Sequence, residues 1–182
     1  MKIKSIALLA LLVIGLTTFV RSQNSFYDLK SKTIDGQIFD FASLKGKKVL
    51  VVNTASKCMY TKQYEDLEKL YTTYKNDNFV IIGFPANNFF KQEPGENKDI
   101  HEFCIKNYGV TFQMMEKISV KGTDMDPVYQ WLTQQAKNGK MDSFVKWNFQ
   151  KYMIDETGNL VDVVQPKVSP LDTKIVNWIT KK

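Results

Sequence analysis

Val49-Leu50-Val51-Val52-Asn53-Thr54-Ala55-Ser56-Lys57-Cys58-Met59-Tyr60-Thr61 is the stretch that decides how this chain folds. Its four leading apolar residues form the continuous run that a strand buried on both faces requires. Beyond it, Tyr64, Leu67, Leu70, Tyr71 and Tyr74 recur at helical spacing and predict an amphipathic helix. Cys58 therefore falls at a corner between strand and helix. The N–H groups and positive dipole end of a helix lie beside such a corner, and that field favours thiolate over thiol. Thiolate is the reactive form, which makes Cys58 a candidate nucleophile.

Outward from that corner the pattern continues as alternating strands and helices. A second apolar run, Phe79-Val80-Ile81-Ile82, closes a strand–helix–strand unit whose strands should be parallel. Upstream, Thr33-Ile34 and Gln37-Ile38-Phe39 flank Asp35-Gly36, a hairpin signature. Downstream, Asn97 is placed to cap a helix carrying Ile100, Phe103 and Cys104 on one face. Asp126-Pro127 and Ser169-Pro170 read as caps followed by a first-turn proline, the first before Val128, Trp131 and Leu132, the second before Leu171, Ile175 and Ile179. Between those helices, residues 147–154 and 160–164 flank the loop Asp155-Glu156-Thr157-Gly158-Asn159 as a longer hairpin. The sum is an α/β chain with a thioredoxin-like fold: a central mixed sheet flanked by helices, with an N-terminal β-hairpin. With no repeat, low-complexity tract or Pro/Gly-rich linker, residues 24–182 read as one domain.

The first 22 residues read as an export signal. Lys2 and Lys4 form a short basic region, residues 6–20 an apolar stretch, and Val20-Arg21-Ser22 resembles a small-residue cleavage site. Fifteen helical residues span about 22 Å, short of the roughly 30 Å hydrocarbon core, so no stable membrane span is expected. The expected location is periplasmic or secreted, or membrane-anchored if the signal stays uncleaved. Taking Lys2, Lys4 and Arg21 from the formal charge of +6 leaves +3. The remaining lysines are scattered among acids, which argues for a solvated surface and against a nucleic-acid partner. Lys181-Lys182 reads as the complement of a helix end.

The chain has two cysteines, Cys58 and Cys104. In an exported protein such a pair ordinarily reads as one structural disulfide, and helical spacing with Ile100 and Phe103 makes Cys104 look like a buried apolar thiol. The same pair also suits redox chemistry, with Cys104 as second partner. His101-x-x-Cys104 is a weak metal lead, because one histidine and two cysteines do not complete a typical zinc site without acids. No metal and no bound cofactor are expected.

Four further segments resemble the glutathione peroxidase family: Asn53-Thr54-Ala55-Ser56-Lys57-Cys58, Phe84-Pro85-Ala86-Asn87-Asn88-Phe89, Gln92-Glu93-Pro94-Gly95 and Lys146-Trp147-Asn148-Phe149. The similarity extends through Asn107-Tyr108-Gly109-Val110-Thr111-Phe112 and Glu116-Lys117-Ile118. It implies reduction of hydrogen peroxide and organic or lipid hydroperoxides, an antioxidant role under oxidative stress, and a catalytic set on Cys58, Gln92, Trp147 and Asn148. A thiolate attacking a peroxide oxygen expels a strongly basic alkoxide or hydroxide, so donors beside the leaving group lower the barrier. Gln92 and Asn148 offer amide N–H groups and Trp147 an indole N–H, none carrying a formal charge that would be costly to desolvate. In isolation a tryptophan beside a strand reads as core, Asn148 as a turn residue and Gln92 as a loop residue; their joint appearance with Cys58 changes that.

By the same resemblance Cys104 stands where a resolving cysteine condenses with a sulfenic acid on Cys58, giving a disulfide that a thioredoxin-like protein reduces. Glutathione is the less favoured reductant. A buried helical thiol reaches Cys58 only if its helix opens locally, because disulfide geometry demands Cα atoms within about 7 Å. Three positions depart from the family pattern. Met59 replaces a glycine, Asn88 and Phe89-Phe90 replace Gln-Phe-Gly, and Ala86 replaces a cysteine. Two other functions remain open: an exported thiol–disulfide oxidoreductase, although Thr61 stands where a Cys-x-x-Cys motif needs its second cysteine, and a non-catalytic binding module with a structural Cys58–Cys104 disulfide.

Overall fold

The structure, a computed structural model, describes residues 25–181; the export signal expected over residues 1–22 lies outside them. In chain order the strands and helices are β1 (Lys30–Lys32), β2 (Ile38–Asp40), β3 (Lys48–Thr54), α1 (Gln63–Tyr74), β4 (Phe79–Pro85), α2 (Asn97–Tyr108), β5 (Gln113–Met114), α3 (Pro127–Thr133), α4 (Gln135–Asn138), β6 (Lys151–Ile154), β7 (Leu160–Val164) and α5 (Thr173–Thr180). β1 and β2 form the antiparallel hairpin around Asp35-Gly36. The central sheet runs β5-β4-β3-β6-β7, with β4 parallel to β3 and β5, and β6 antiparallel to β3 and β7. This is the mixed thioredoxin-like sheet that the sequence predicts.

The apolar run of β3 is continuous because it feeds two cores at once. Successive side chains on a strand point to opposite faces. Val49 and Val51 join Ile82, Phe84, Tyr152 and Ile154 on one face, packed against Val128, Trp131 and Leu132 of α3 and against Phe26 and Phe41. Leu50 and Val52 join Ile81 and Met153 on the other, under Tyr64, Leu67 and Leu70 of α1, Ile100 and Cys104 of α2, and Ile175 and Ile179 of α5. Every residue of β3 is buried. Each large aliphatic side chain so removed from water contributes about 1.5–3 kcal/mol. β3 therefore enters the Cys58 corner from the most firmly held part of the molecule.

Several local expectations shift. The cap of α2 is Glu96, in a reciprocal capping box with Asp99, one residue before Asn97. α5 starts three residues later than Ser169-Pro170 suggests, capped by Asp172, while Ser169 accepts from the Leu171 N–H in a preceding turn. Asp126 caps α3 as expected, accepting from the Val128 N–H. The cation at the end of α5 is Lys48, whose ammonium donates to the carbonyls of Trp178, Ile179 and Lys181. β5, a two-residue edge strand, carries too little pattern to be read from sequence. The Met114 side chain packs into the space above Gly83, where a Cβ would lie 2.6 Å from its sulfur. Finally, residues 147–150 are not strand; they make a turn ahead of β6. Among the described residues no helix is long and apolar enough to cross a membrane.

Candidate active site

Between β3 and α1 the chain makes a run of turns over residues 55–62, and Cys58 sits within it. Thr61 holds that run together. Its Oγ accepts from the Cys58 N–H at 2.9 Å and lies 2.9 Å and 2.7 Å from the carbonyl oxygens of Ala55 and Cys58. The position that would carry a second redox cysteine in a Cys-x-x-Cys motif is thus occupied by a hydroxyl that fastens the loop. Cys58 itself is 8 % exposed. The Tyr60 N–H donates to its Sγ at 3.4 Å. Because α1 begins only at Gln63, the amide aimed at the sulfur comes from the turn and not from the helix end that the sequence suggests.

Gln92, Trp147 and Asn148 come from two distant loops, and both are tied to this corner. The Gln92 carbonyl accepts from the Lys57 N–H at 3.0 Å, bracing its loop against the residue before Cys58. The Asn148 amide donates to Gln92 Oε1 at 3.1 Å. That bond orients the Gln92 side chain, leaving its own NH2 group free to donate. Asn53, in β3, positions the second loop: its side-chain amide donates to the Trp147 carbonyl at 3.1 Å, and its backbone carbonyl accepts from the Phe149 N–H at 2.6 Å. Phe149 adopts φ +67° to make the turn. Asn53 is fully buried and was visible in sequence only as part of a motif; its work as the anchor of Trp147 was not legible there.

The Trp147 ring lies between Phe89 and Phe90, with centroids 5.4 Å and 5.5 Å away. Its indole N–H is buried and has no protein acceptor, and the same holds for the Asn148 side-chain oxygen as an unpaired acceptor. An unpaired buried polar group costs about 1–3 kcal/mol, so a donor left in that condition marks a place where an acceptor is expected. Trp147 also lines a cleft of about 230 Å³ with Met59, Tyr60, Gln165, Pro166 and Lys167. Of the positions that the sequence marks as departures, Met59 lines this cleft and Phe90 packs against Trp147. Met59 is 79 % and Phe90 83 % exposed. Phe90 and Lys91 take φ of +50° and +53°, a left-handed conformation costing about 1–2 kcal/mol per non-glycine residue.

Cys104 lies inside α2, 1 % exposed, in the same apolar cluster as Cys58. Both cysteines are free thiols in this structure. Burial pushes the Cys104 thiol up to about 11; the Tyr64 hydroxyl beside it works against that, and the charge of Glu93 adds to it. Glu93 is a residue that the sequence reading passed over. It follows Gln92 directly, is 1 % exposed, and burial holds its carboxyl above the usual carboxylate range. Among the described residues no group of three or more His, Cys, Asp or Glu side chains is arranged to hold a metal ion.

The glutathione peroxidase family model matches residues 26–133. The glutathione peroxidase-like peroxiredoxin gpx1 of Schizosaccharomyces pombe is 52 % identical over 137 residues, covering 75 % of this chain and 86 % of that protein. A glutathione peroxidase of Lactococcus lactis is 48 % identical over 146 residues, covering 80 % and 92 %. Among solved structures, T. cruzi GPX1 superposes with a TM-score of 0.65 at 29 % identity, over 86 % of this chain and 97 % of that one. A thiol:disulfide interchange protein of the thioredoxin family from Chlorobium tepidum, at 21 % identity and a TM-score of 0.61 over 86 % and 96 %, shares the fold alone.

Proposed function

This chain belongs to the glutathione peroxidase family and is a peroxidase, and we propose that it is a thiol peroxidase working through a Cys58 sulfenic acid, resolved by Cys104 and recycled by a thioredoxin-like reductant. The observation that supports this reading is that the two loops bearing neutral donors are fastened to β3 and to the residue before Cys58. The Gln92 amide is oriented by Asn148, the Trp147 N–H is buried without an acceptor, and both loops are fastened to the segment that bears the sulfur.

In the first step the Cys58 thiolate attacks one oxygen of ROOH. The S–O bond forms to the OH oxygen as the O–O bond breaks, and the departing RO⁻ takes from water the proton that the Cys58 thiol gave up, leaving as ROH. The Trp147 and Gln92 N–H groups are the donors for the negative charge that builds on that oxygen. Cys58–SOH then condenses with the Cys104 thiol, releasing water and leaving a disulfide. A protein dithiol restores both thiols by exchange. The substrates are hydrogen peroxide and organic or lipid hydroperoxides, the setting is defence against oxidative stress, and the expected location is outside the cytoplasm.

Steady-state peroxide reduction coupled to thioredoxin, set against glutathione as electron source, tests the reading. Turnover with thioredoxin is expected to exceed that with glutathione. Cys104→Ser is expected to oxidise normally in the first turnover and then stall. Full thioredoxin-coupled turnover by Cys104→Ser would refute the resolving role.

A further inference from the structure

Glu93 is a buried carboxyl beside the proposed site whose place the first step leaves unexplained. Neither of its carboxylate oxygens meets full hydrogen-bond geometry in this 1 % exposed residue, although the Ser56 hydroxyl and N–H lie close enough to pull its carboxyl down against the effect of burial. An ionised carboxylate held this way is costly by several kcal/mol. The loop is also held through its backbone, where the Glu93 N–H donates to the Asn87 side chain at 2.9 Å.

Its position suggests what the side chain is for. A cavity of about 200 Å³ separates the Cys58 loop from α2, lined by Ser56 and Lys57 on one side, Asp99, Ile100 and Phe103 on the other, and Glu93 between them. Cys104 follows Ile100 by four residues, on the same helix face. From there the Glu93 charge reaches both the Cys104 thiol and the Tyr64 hydroxyl of α1. The groups facing the carboxyl are the Ser56 hydroxyl and N–H, the ammonium groups of Lys57 and Lys117, Cys104 and Tyr64, with Asp99 at the cavity wall.

We propose that Glu93 is the general base that removes the Cys104 proton in the resolving step. This rests on the two-cysteine cycle proposed above. A thiol at about 11 is thiolate only about once in ten thousand at pH 7, so attack on the sulfenic acid needs a proton acceptor. A buried carboxyl above its ordinary range is a better match for a thiol proton than a solvated one. The Cys104 proton passes to the Glu93 carboxylate as α2 opens. The Cys104 sulfur then bonds to the Cys58 sulfur and the Cys58 S–O bond breaks. The departing hydroxide is protonated through water by Glu93 and leaves as water, returning the carboxylate. Cys104 is oxidised and the sulfenic sulfur reduced.

The test is a rapid-quench series over pH 5–10, mixing the reduced protein with one equivalent of hydrogen peroxide and reading Cys58 sulfenic acid and Cys58–Cys104 disulfide separately by mass. In Glu93→Gln, disulfide formation is expected to fall about 100-fold at pH 7, with the gap to wild type closing as pH rises and solvent replaces the base. Sulfenic acid should accumulate, and Glu93→Asp should recover part of the rate. Disulfide formation at the wild-type rate in Glu93→Gln, or a loss equal at every pH, overturns the proposal. If Glu93→Gln does not fold, the Glu93→Asp series decides: a displaced pH profile supports the base, an unchanged one overturns it. Failure of the wild type to form the disulfide overturns the two-cysteine cycle as well, whereas failure confined to the Glu93 variants leaves that cycle standing.

Discussion

The Cys58 corner and the middle of α2 each hold one buried cysteine in the same apolar cluster, yet they prepare those sulfurs for opposite conduct. At the corner the backbone is irregular and its side chains do the fastening. Thr61 closes the turn, the Tyr60 N–H reaches Sγ, Asn53 holds the Trp147 loop by its carbonyl, and Asn148 orients Gln92. In α2 the backbone is satisfied by the helix itself and ended by Gly109 at φ +59°, so the thiol is surrounded by apolar groups and held as an acid that resists ionisation. In the proposed cycle the first sulfur meets each incoming peroxide from a turn fastened by side chains, and the second acts only after that oxidation, once its helix loosens.

The sharpest way to break this contrast is to remove a donor from the first region and leave the second untouched. Trp147→Phe keeps a ring between Phe89 and Phe90 but deletes the indole N–H. Stopped-flow oxidation of Cys58 is expected to slow by about 10²–10³-fold, while disulfide formation from sulfenic acid already made stays within about threefold. An unchanged first step would remove Trp147 from the set of leaving-group donors.

The second region has a thermodynamic signature of its own. The Cys104 thiol is raised from 9.0 to about 11 in the folded chain, so between those values the folded state holds more protons than the unfolded one. Stability is therefore full below about pH 9 and declines as pH rises towards 11, by about 3 kcal/mol at most. Cys104→Ala should flatten that part of the curve in urea titrations from pH 8 to 11. Cys58→Ala serves as the reference for its effect, and an identical slope in wild type and Cys104→Ala contradicts the account of α2.

Much of this was legible in the chain because it depends on periodicity. The apolar run of β3 and the spacing of α1 give the strand, the helix and the corner. The Asp35-Gly36 turn gives the hairpin, and four motifs in order give the family resemblance. Where sequence and structure part, a tertiary contact is responsible. Trp147 reads as strand, but Asn53 pulls residues 147–150 into a turn through two bonds across the sheet. β5 is two residues paired with Ile82 and Gly83 of β4, too short for any pattern to announce. Glu93 has no sequence signal of its own, and it is buried where the Gln92 loop is bonded to Lys57. Asn97 and Ser169 were one and three residues from the true caps, an offset that side-chain reciprocity and not periodicity decides.

The division of labour between the two sulfurs is tested most directly by mass mapping of the reduced protein after one equivalent of hydrogen peroxide, quenched over a time series. The account predicts oxygen on Cys58 first, then its loss as a Cys58–Cys104 disulfide appears, with Cys104 never carrying oxygen. Oxygen appearing first on Cys104, or a Cys58 that stays unoxidised, would contradict it.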